Sequence, residues 1–134
     1  MNINIPIAHV MTREVVSVTP SQKLLDVKHI FEKKKFHHHI PVEEKGKLKG
    51  IISLTDYLYS IKDASLDDDD EVYQMLLAKD IMRHNPVTMP SSSTLKEIAE
   101  ELGKGKVHAI IIADDELVKG IVSTTDVIRY FLKN

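Results

Sequence analysis

The chain has 134 residues, 43% of them apolar and 28% charged, a balance typical of one compact soluble domain or of two small repeats that share a core. It contains no cysteine, no N-terminal signal-peptide pattern, and no apolar stretch near the ~18 residues of a membrane span. These absences exclude disulfides, thiolate metal sites and a cysteine nucleophile, and we expect a cytoplasmic protein with no membrane partner. The net charge of −2 and the single basic run at 33–35 argue against a nucleic-acid binder.

The sequence repeats itself. Met11 aligns with Met82 at an offset of 71 residues, and the register then continues without a gap into the following turn. One residue drops out there, and the offset of 70 places Gly50 on Gly120. A fixed register over half a chain predicts two copies of one structural unit. The predicted organisation is a first repeat at 7–62, an acidic linker with a connecting helix at 63–77, and a second repeat at 78–134.

Each repeat shows the same order of elements: strand, helix, strand, strand, helix. In the second repeat, Thr94 and Glu97 form a capping-box pattern before an apolar helix face that ends at Gly103. In the first repeat, either Thr19 or Ser21 can cap the matching helix. The predicted elements are strands at 15–18, 36–42, 48–53, 86–89, 107–113 and 117–123, and helices at 24–31, 55–61, 72–78, 95–102 and 125–132. The fold class is therefore α/β (α+β): two tandem β-α-β-β-α repeats related by a pseudo-twofold axis, with the sheets packed together and the helices outside.

The segment 61–71 between the repeats carries five adjacent carboxylates. Because like charges repel, we expect an exposed loop. A solvated linker is favoured over a cation site, since the glycine-spaced pattern of a calcium loop is absent.

A repeated turn follows the last strand of each repeat, and it reads Gly50-Ile51-Ile52-Ser53-Leu54-Thr55-Asp56 and Gly120-Ile121-Val122-Ser123-Thr124-Thr125-Asp126. Each strand runs directly into a helix start, where unpaired N–H groups and the helix dipole favour phosphate oxygens. The carboxylates of Asp56 and Asp126 repel phosphate but accept hydrogen bonds from two neighbouring hydroxyls, such as those of a ribose. Hydroxyl donors are available at Ser53, Thr55, Ser123 and Thr125. The same pattern is also an ordinary helix cap, so a nucleotide clamp and a cap stand as alternatives.

These pieces, in order and duplicated, resemble the CBS domain, named for cystathionine beta-synthase, of which a tandem pair is called a Bateman module. The resemblance spans roughly residues 7–131 and is carried by the segments 81–88 and 39–42 and by both turns. It implies a stand-alone regulatory pair without catalysis or a catalytic cofactor. The implied ligand is AMP, ADP, ATP or S-adenosylmethionine, bound in clefts between the repeats. A homodimer and an unidentified regulated protein are the implied partners.

The resemblance also assigns site residues. The acidic residue of the turn holds ribose and the serine three positions earlier faces phosphate, which carries over to Asp56 with Ser53 and to Asp126 with Ser123. The segment after the methionine and the strand before the turn line the base pocket. The residues implied there are Val16, Ser17, His39, Ile40, Pro41, Val87, Thr88, Ala109, Ile110 and Ile111. Because Ile112 stands at the position that matches Pro41, we expect the two clefts to differ.

Other residues have two interpretations each. A phosphate contact and simple solvation are the alternatives for Arg13, Lys35, His39, Arg83, Lys106 and His108, and for Arg129 they are a phosphate contact and a cap at its helix end. His37 and His39 share a predicted strand face, but a metal site needs at least one more ligand. Neither turn serine lies in a Gly-x-Ser-x-Gly motif. Three hypotheses follow: an adenosyl-ligand sensor, a protein-interaction scaffold whose acidic turns are only caps, and a metal-dependent hydrolase built on the histidines.

Overall fold

A computed structural model describes residues 2–33 and 38–133. It has the mixed α and β structure that the sequence predicts, and it divides into two compact units. The central unit is Val16–Asn85, and the terminal unit combines Met1–Val15 with Pro86–Asn134. Lys35, His37 and the predicted start of the strand at 36–42 lie outside the described residues, so those predictions stay open.

The central unit is built on an antiparallel hairpin. In chain order its elements are α1 Leu24–Phe31, β1 His39–Glu44, β2 Lys47–Ser53, α2 Leu54–Ser60, α3 Val72–Met75, α4 Ala78–Ile81 and β3 Arg83–His84. The turn between β1 and β2 places Lys45 and Gly46 at φ 54° and 80°, the left-handed pair that suits the twist of a tight hairpin. β3 pairs antiparallel with β2, with Arg83 opposite Ile51.

The core of the central unit is aliphatic with two tyrosines. α1 buries one face at Leu24, Val27 and Phe31, the spacing that the sequence predicts for this helix. Tyr57 and Tyr73 are 4% and 0% exposed and join the same cluster. Burial raises the pKa of the Tyr57 hydroxyl well above its usual range. The buried Tyr57 side chain anchors α2 in this core, and the first turn of α2 lies at the end of β2.

The terminal unit repeats the plan. Its elements are a short 3-10 helix Ile7–His9, β4 Thr88–Met89, α5 Leu95–Gly103, β5 Ala109–Asp114, β6 Leu117–Ser123 and α6 Thr124–Lys133. β5 and β6 form an antiparallel hairpin, and β4 pairs parallel with β5. Asp115 and Glu116 occupy the left-handed region at the hairpin turn, with φ 51° and 68°, although neither is glycine. The predicted capping box is confirmed: Glu97 N–H donates to Thr94 Oγ1 at 3.2 Å, and Glu97 Oε1 accepts from Thr94 N–H at 3.0 Å.

Each unit is completed by the methionine segment of the other sequence repeat. Arg83, from the second repeat, lies in β3 beside β2 of the first repeat. Thr12, from the first repeat, exchanges backbone hydrogen bonds of 2.9 and 3.0 Å with Ile121 of the second. The spatial units therefore differ from the sequence repeats, and each contains a segment from both.

Three local predictions need correction. Neither Thr19 nor Ser21 caps α1, whose N-cap is Lys23 without a side-chain hydrogen bond. The Leu24 N–H instead donates to the Leu76 carbonyl at 2.8 Å, so a backbone oxygen far away in the sequence replaces the side-chain cap. The predicted helix at 72–78 is two short helices, α3 and α4. The predicted strand at 15–18 is reduced to a bridge at Val18.

The acidic loop is exposed at 67–69, as predicted, but two side chains of α1 contact it. Asp68 Oδ1 accepts from Lys28 Nζ at 2.5 Å, and its Oδ2 lies 2.8 Å from His29 Nε2. Lys28 is only 3% exposed and also donates to Glu32 at 2.9 Å. The contact with Asp68 raises the pKa of Lys28, and the same ammonium lowers the pKa of Asp68. A nearly buried ammonium thus offsets the repulsion within the loop.

Candidate functional site

The turn of the central unit is a helix cap in which the carboxylate takes part. α2 begins at Leu54, directly after β2 ends at Ser53. Ser53 Oγ accepts from the Asp56 N–H at 3.0 Å, and Asp56 Oδ2 accepts from the Ser53 N–H at 3.3 Å. The sequence pattern is therefore a capping box. A carboxylate has about four acceptor positions, so the cap leaves room for further donors.

The turn of the terminal unit has the same geometry. The Asp126 N–H donates to Ser123 Oγ at 3.1 Å, and Asp126 Oδ2 accepts from the Ser123 N–H at 2.9 Å. The next residue, Thr124, starts α6 and donates its N–H to the His108 carbonyl at 3.1 Å. Thr125 is exposed at the same helix start. The two copies of the turn therefore form the same pair of hydrogen bonds.

An arginine engages the carboxylate of the central turn. Arg83 Nε lies 3.1 Å from both Oδ1 and Oδ2 of Asp56. The Asp56 side chain is 15% exposed, whereas the Arg83 side chain is 74% exposed. The arginine reaches this position because β3 pairs with β2 at Ile51, five residues before Asp56. The Asp56 carboxylate is thus largely enclosed by the fold, whereas the Arg83 side chain extends into solvent.

An open cleft of about 550 Å³ lies beside this ion pair. Its lining residues are Thr55, Asp56, Tyr59, Ser60, Asp80, Ile81 and Arg83. The volume is within the range of sites for small organic ligands, which are roughly 300–1,000 Å³. The lining combines hydroxyls, two carboxylates, a guanidinium and an aromatic ring. Such a set can accept hydrogen bonds from sugar hydroxyls, donate to an oxyanion and contact a flat ring.

Part of this lining was not predicted. Tyr59 and Ser60 follow Asp56 by three and four residues on α2, so they share its helix face. That spacing is a signal from which the sequence alone identifies them once Asp56 is singled out. Asp80 and Ile81 come from α4, at a distance along the chain that carries no local signal. Asp80 caps that helix, accepting from the Leu77 N–H at 2.8 Å.

The predicted base-pocket segments are neighbours within each unit. In the central unit, the Val18 N–H donates to the Pro41 carbonyl at 3.1 Å, which brings Val16 and Ser17 close to Pro41 and His39. Val16 is exposed, Ser17 and His39 are half-buried and Pro41 is buried. Ile40 is 0% exposed and belongs to the core. Only its backbone is available to a ligand.

The terminal unit shows the same juxtaposition. The Ile111 N–H donates to the Val87 carbonyl at 3.3 Å, and Thr88 pairs with Ile111 in the sheet. Val87 and Thr88 are exposed, whereas Ala109 and Ile111 are buried. Ile110 lies wholly in the core of the unit. A ligand here can meet the side chains before β4 and the backbone of β5.

The other basic candidates that the structure describes are not among the residues that line the central cleft. Arg13 donates to the Ala8 carbonyl at 3.1 Å, a contact that stabilises its own segment. Lys106, His108 and Arg129 are exposed in the terminal unit. Among the basic candidates within residues 2–33 and 38–133, Arg83 is the one that lines this cleft.

The metal hypothesis depends on a pair of histidines that the structure describes only in part. His37 is outside the described residues, so the His37 and His39 pair stays untested. Among the described residues, the atoms of His29, Glu32 and Asp68 lie within 4.8 Å of one another. The Lys28 ammonium already donates to both of these carboxylates. A lysine therefore supplies the positive charge that a metal ion would bring.

Comparison with protein families identifies the fold. The model of the CBS domain matches residues 7–63 and again residues 78–133, which together are most of the chain. The uncharacterized protein MJ1225 of Methanocaldococcus jannaschii is 29% identical over 128 residues, which cover 90% of this chain and 45% of that protein. The chain spans less than half the length of the curated relatives it matches.

Solved structures agree on the architecture. The crystal structure of MJ1225 superposes with a TM-score of 0.81 at 28% identity, covering 98% of this chain and 49% of that one. CBSX2 in complex with AMP gives 0.80 at 23% identity, with 96% of both chains covered. The CBS domain pair of protein MJ0100, in complex with 5′-methylthioadenosine and S-adenosyl-L-methionine, gives 0.77 at 20% identity, covering 95% and 99%. None of the helices that the structure describes has the length and apolar character to cross a membrane.

Proposed function

The chain belongs to the CBS domain family, and from that premise we propose that it is a regulatory module that binds an adenosyl ligand and catalyses no reaction. Occupancy of the module would report the level of AMP, ADP, ATP or S-adenosylmethionine to a partner protein. A ligand shifts such an equilibrium only by its differential affinity for two states. The chemistry required of this chain is therefore recognition.

The observation that carries the proposal is the cleft beside Asp56. A family resemblance alone gives the fold, but the cleft brings two carboxylates, three hydroxyl-bearing residues and a guanidinium to one surface. Asp56 would accept at least one ribose hydroxyl, since the cap uses one of its roughly four acceptor positions and the Arg83 Nε contacts use two. Ser53, Thr55 and Arg83 would face the phosphate. Asp126 with Ser123 and Thr125 is the proposed second clamp.

Relatives support the ligand class. AMP is bound by CBSX2, and 5′-methylthioadenosine and S-adenosyl-L-methionine by the MJ0100 pair. The common part of these ligands is adenosine with its ribose. The proposed ribose contacts at Asp56 and Asp126 correspond to that common part, whereas the substituent at the 5′ position varies.

A scaffold that binds no nucleotide is the alternative. It is favoured by one observation: both acidic residues already act in complete capping boxes. In that case Asp56 and Asp126 would contribute to stability alone. A test must therefore separate the loss of a cap from the loss of a ligand contact.

Thermal unfolding with AMP, ADP, ATP, S-adenosylmethionine, NAD and divalent metal ions separates these hypotheses. A ligand at 100 times its Kd stabilises the folded state by about 2.7 kcal/mol. We expect at least one adenosyl compound to raise the Tm, and Asp56→Ala and Asp126→Ala each to reduce that rise. Stabilisation by zinc that is lost in His37→Ala would instead favour the metal hypothesis.

Glu97→Ala is the matched control, because Glu97 holds the same capping-box position in α5 away from both turns. This variant should lower the Tm of the free protein, as the aspartate variants do, but keep the full ligand-induced rise. If no adenosyl compound shifts the Tm of the natural chain, the sensor proposal fails. If the ligand effect survives both aspartate changes, the ribose assignment is wrong.

We also propose that the module acts as a homodimer. α6 exposes Ile128, Phe131 and Leu132, which follow one another at helical spacing on one face. An apolar helix face in water is typical of a contact surface. Sedimentation velocity at micromolar concentration measures this directly, and a monomer at all concentrations would contradict it.

A further inference from the structure

Arg83 and Thr12 occupy equivalent positions in the two units. Arg83 pairs with Ile51 on β2, and Thr12 pairs with Ile121 on β6. The preceding methionine packs against the glycine of the adjoining strand in both units: a Cβ on Gly50 or on Gly120 would lie 2.7 Å from a methionine sulfur. The backbone pairing and the contact between methionine and glycine correspond, so the side chains of Arg83 and Thr12 can be compared directly.

The side chains give the two acidic turns different electrostatics. In the central unit the guanidinium of Arg83 meets Asp56, which leaves the pair without net charge. At the other turn, the equivalent Thr12 carries only a hydroxyl. A phosphate placed beside a bare carboxylate is repelled, whereas one placed beside a carboxylate–guanidinium pair is attracted to the cation.

The geometry of Arg83 allows it to hold both groups at once. Its contacts to Asp56 use Nε, and a guanidinium carries two further NH2 groups in a fixed plane. The side chain is 74% exposed, so these groups are accessible from the solvent side of the cleft. Arg83 is the cation among the lining residues, and Asp56 and Asp80 are the anions.

We propose that Arg83 makes the central cleft prefer an adenosine that carries a 5′-phosphate over adenosine itself, and that the Asp126 turn, with Thr12 in the equivalent position, lacks this preference. This inference rests on the proposed function and names the ligand class of one of its two clefts. The expected order of affinity in the central cleft is AMP, then adenosine.

The test is isothermal titration with AMP and adenosine in an Asp126→Ala background, which leaves one candidate ribose clamp. Arg83→Thr copies the residue of the other unit. We expect it to weaken AMP binding about tenfold or more, the scale of one charge-assisted hydrogen bond, and to change adenosine binding less than twofold. Arg83→Lys should lie between, because it keeps the charge without the planar fork.

Lys119→Thr is the charge-matched control, since it removes one exposed cation from the terminal unit. It should leave the ratio of AMP to adenosine affinity unchanged. In the reciprocal experiment, Thr12→Arg in an Asp56→Ala background should strengthen AMP binding at the Asp126 turn. Circular dichroism confirms folding of each variant, and Arg83→Gln serves if the threonine variant unfolds.

The outcomes separate the two proposals. Suppose that the natural chain binds AMP. If Arg83→Thr then weakens the binding of AMP and of adenosine equally, or leaves both unchanged, this inference is overturned and the sensor function stands. If no adenosyl compound binds the natural chain, the sensor function falls and the selectivity falls with it. A loss of affinity for AMP, with adenosine binding little changed, supports both the sensor function and the proposed role of Arg83.

Discussion

Gly50→Ala tests the close approach of β3 on which the position of Arg83 depends. A Cβ at Gly50 would lie 2.7 Å from the Arg83 carbonyl oxygen and 2.7 Å from Met82 Sδ. Met82 is a flexible side chain and can move aside. The carbonyl belongs to the backbone of β3, so the strand itself must retreat, by about 0.3 Å to reach 3.0 Å and about 0.7 Å to reach 3.4 Å.

The magnitude follows from two opposing effects. Inserting a methyl group into a packed site costs roughly 1–3 kcal/mol. Alanine regains about 0.4–1 kcal/mol over glycine, because it restricts the unfolded chain. We therefore expect Gly50→Ala to lower the free energy of unfolding by about 1–2 kcal/mol, which corresponds to a Tm lower by on the order of 5–10 °C. It should also weaken AMP binding, because the retreat of β3 moves Arg83 from Asp56.

The assay is urea denaturation followed by circular dichroism, with Gly103→Ala as control. A Cβ at Gly103, the last residue of α5, meets nothing within 4 Å, so that variant should be neutral or more stable by up to about 1 kcal/mol. The double variant Gly50→Ala with Met82→Ala should recover little, since the carbonyl contact remains. Equal stability of Gly50→Ala and Gly103→Ala would refute the reasoning.

Two further predictions concern single contacts. Asp68→Asn should lower the free energy of unfolding at pH 7, and the difference from the natural chain, measured by urea denaturation, should shrink as pH falls below about 4. Its carboxyl has a lowered pKa in the folded state, so its stabilisation is present above the unfolded pKa and is lost as pH falls through the folded one. Thr94→Ala should cost about 1 kcal/mol by loss of a confirmed cap, whereas Ser21→Ala should stay within roughly 0.5 kcal/mol; equal effects on the Tm would contradict the cap assignments.

Features that depend on residues close together in the sequence could be predicted from the sequence. The capping box at Thr94 depends on residues three apart, and the amphipathic faces of α1 and α5 depend on a 3.6-residue period, so both are visible in the sequence. The cap of α1 was predicted wrongly for the converse reason. Its acceptor is the Leu76 carbonyl, about fifty residues away, which local patterns do not reveal.

The site residues divide in the same way, between those that a local pattern identifies and one that only the fold brings into place. Ser53 and Asp56 were identified because their spacing repeats at Ser123 and Asp126. Arg83 was one of several basic candidates, and its contact with Asp56 depends on the pairing of β3 with β2, which joins different repeats. An internal repeat shows that two copies share a plan, but it does not show that they exchange a segment.

The exchange of methionine segments has a consequence for the order of folding. The central unit is one continuous stretch, so its partners are all present once residue 85 has been synthesised. The terminal unit must join the Ile7 N–H to the Ser93 carbonyl, and Thr12 to Ile121, across a loop that contains the whole central unit. Long-range closure of this kind slows folding. Residues 1–15 are therefore synthesised before the central unit but find their partners only after the residues that follow it have been made.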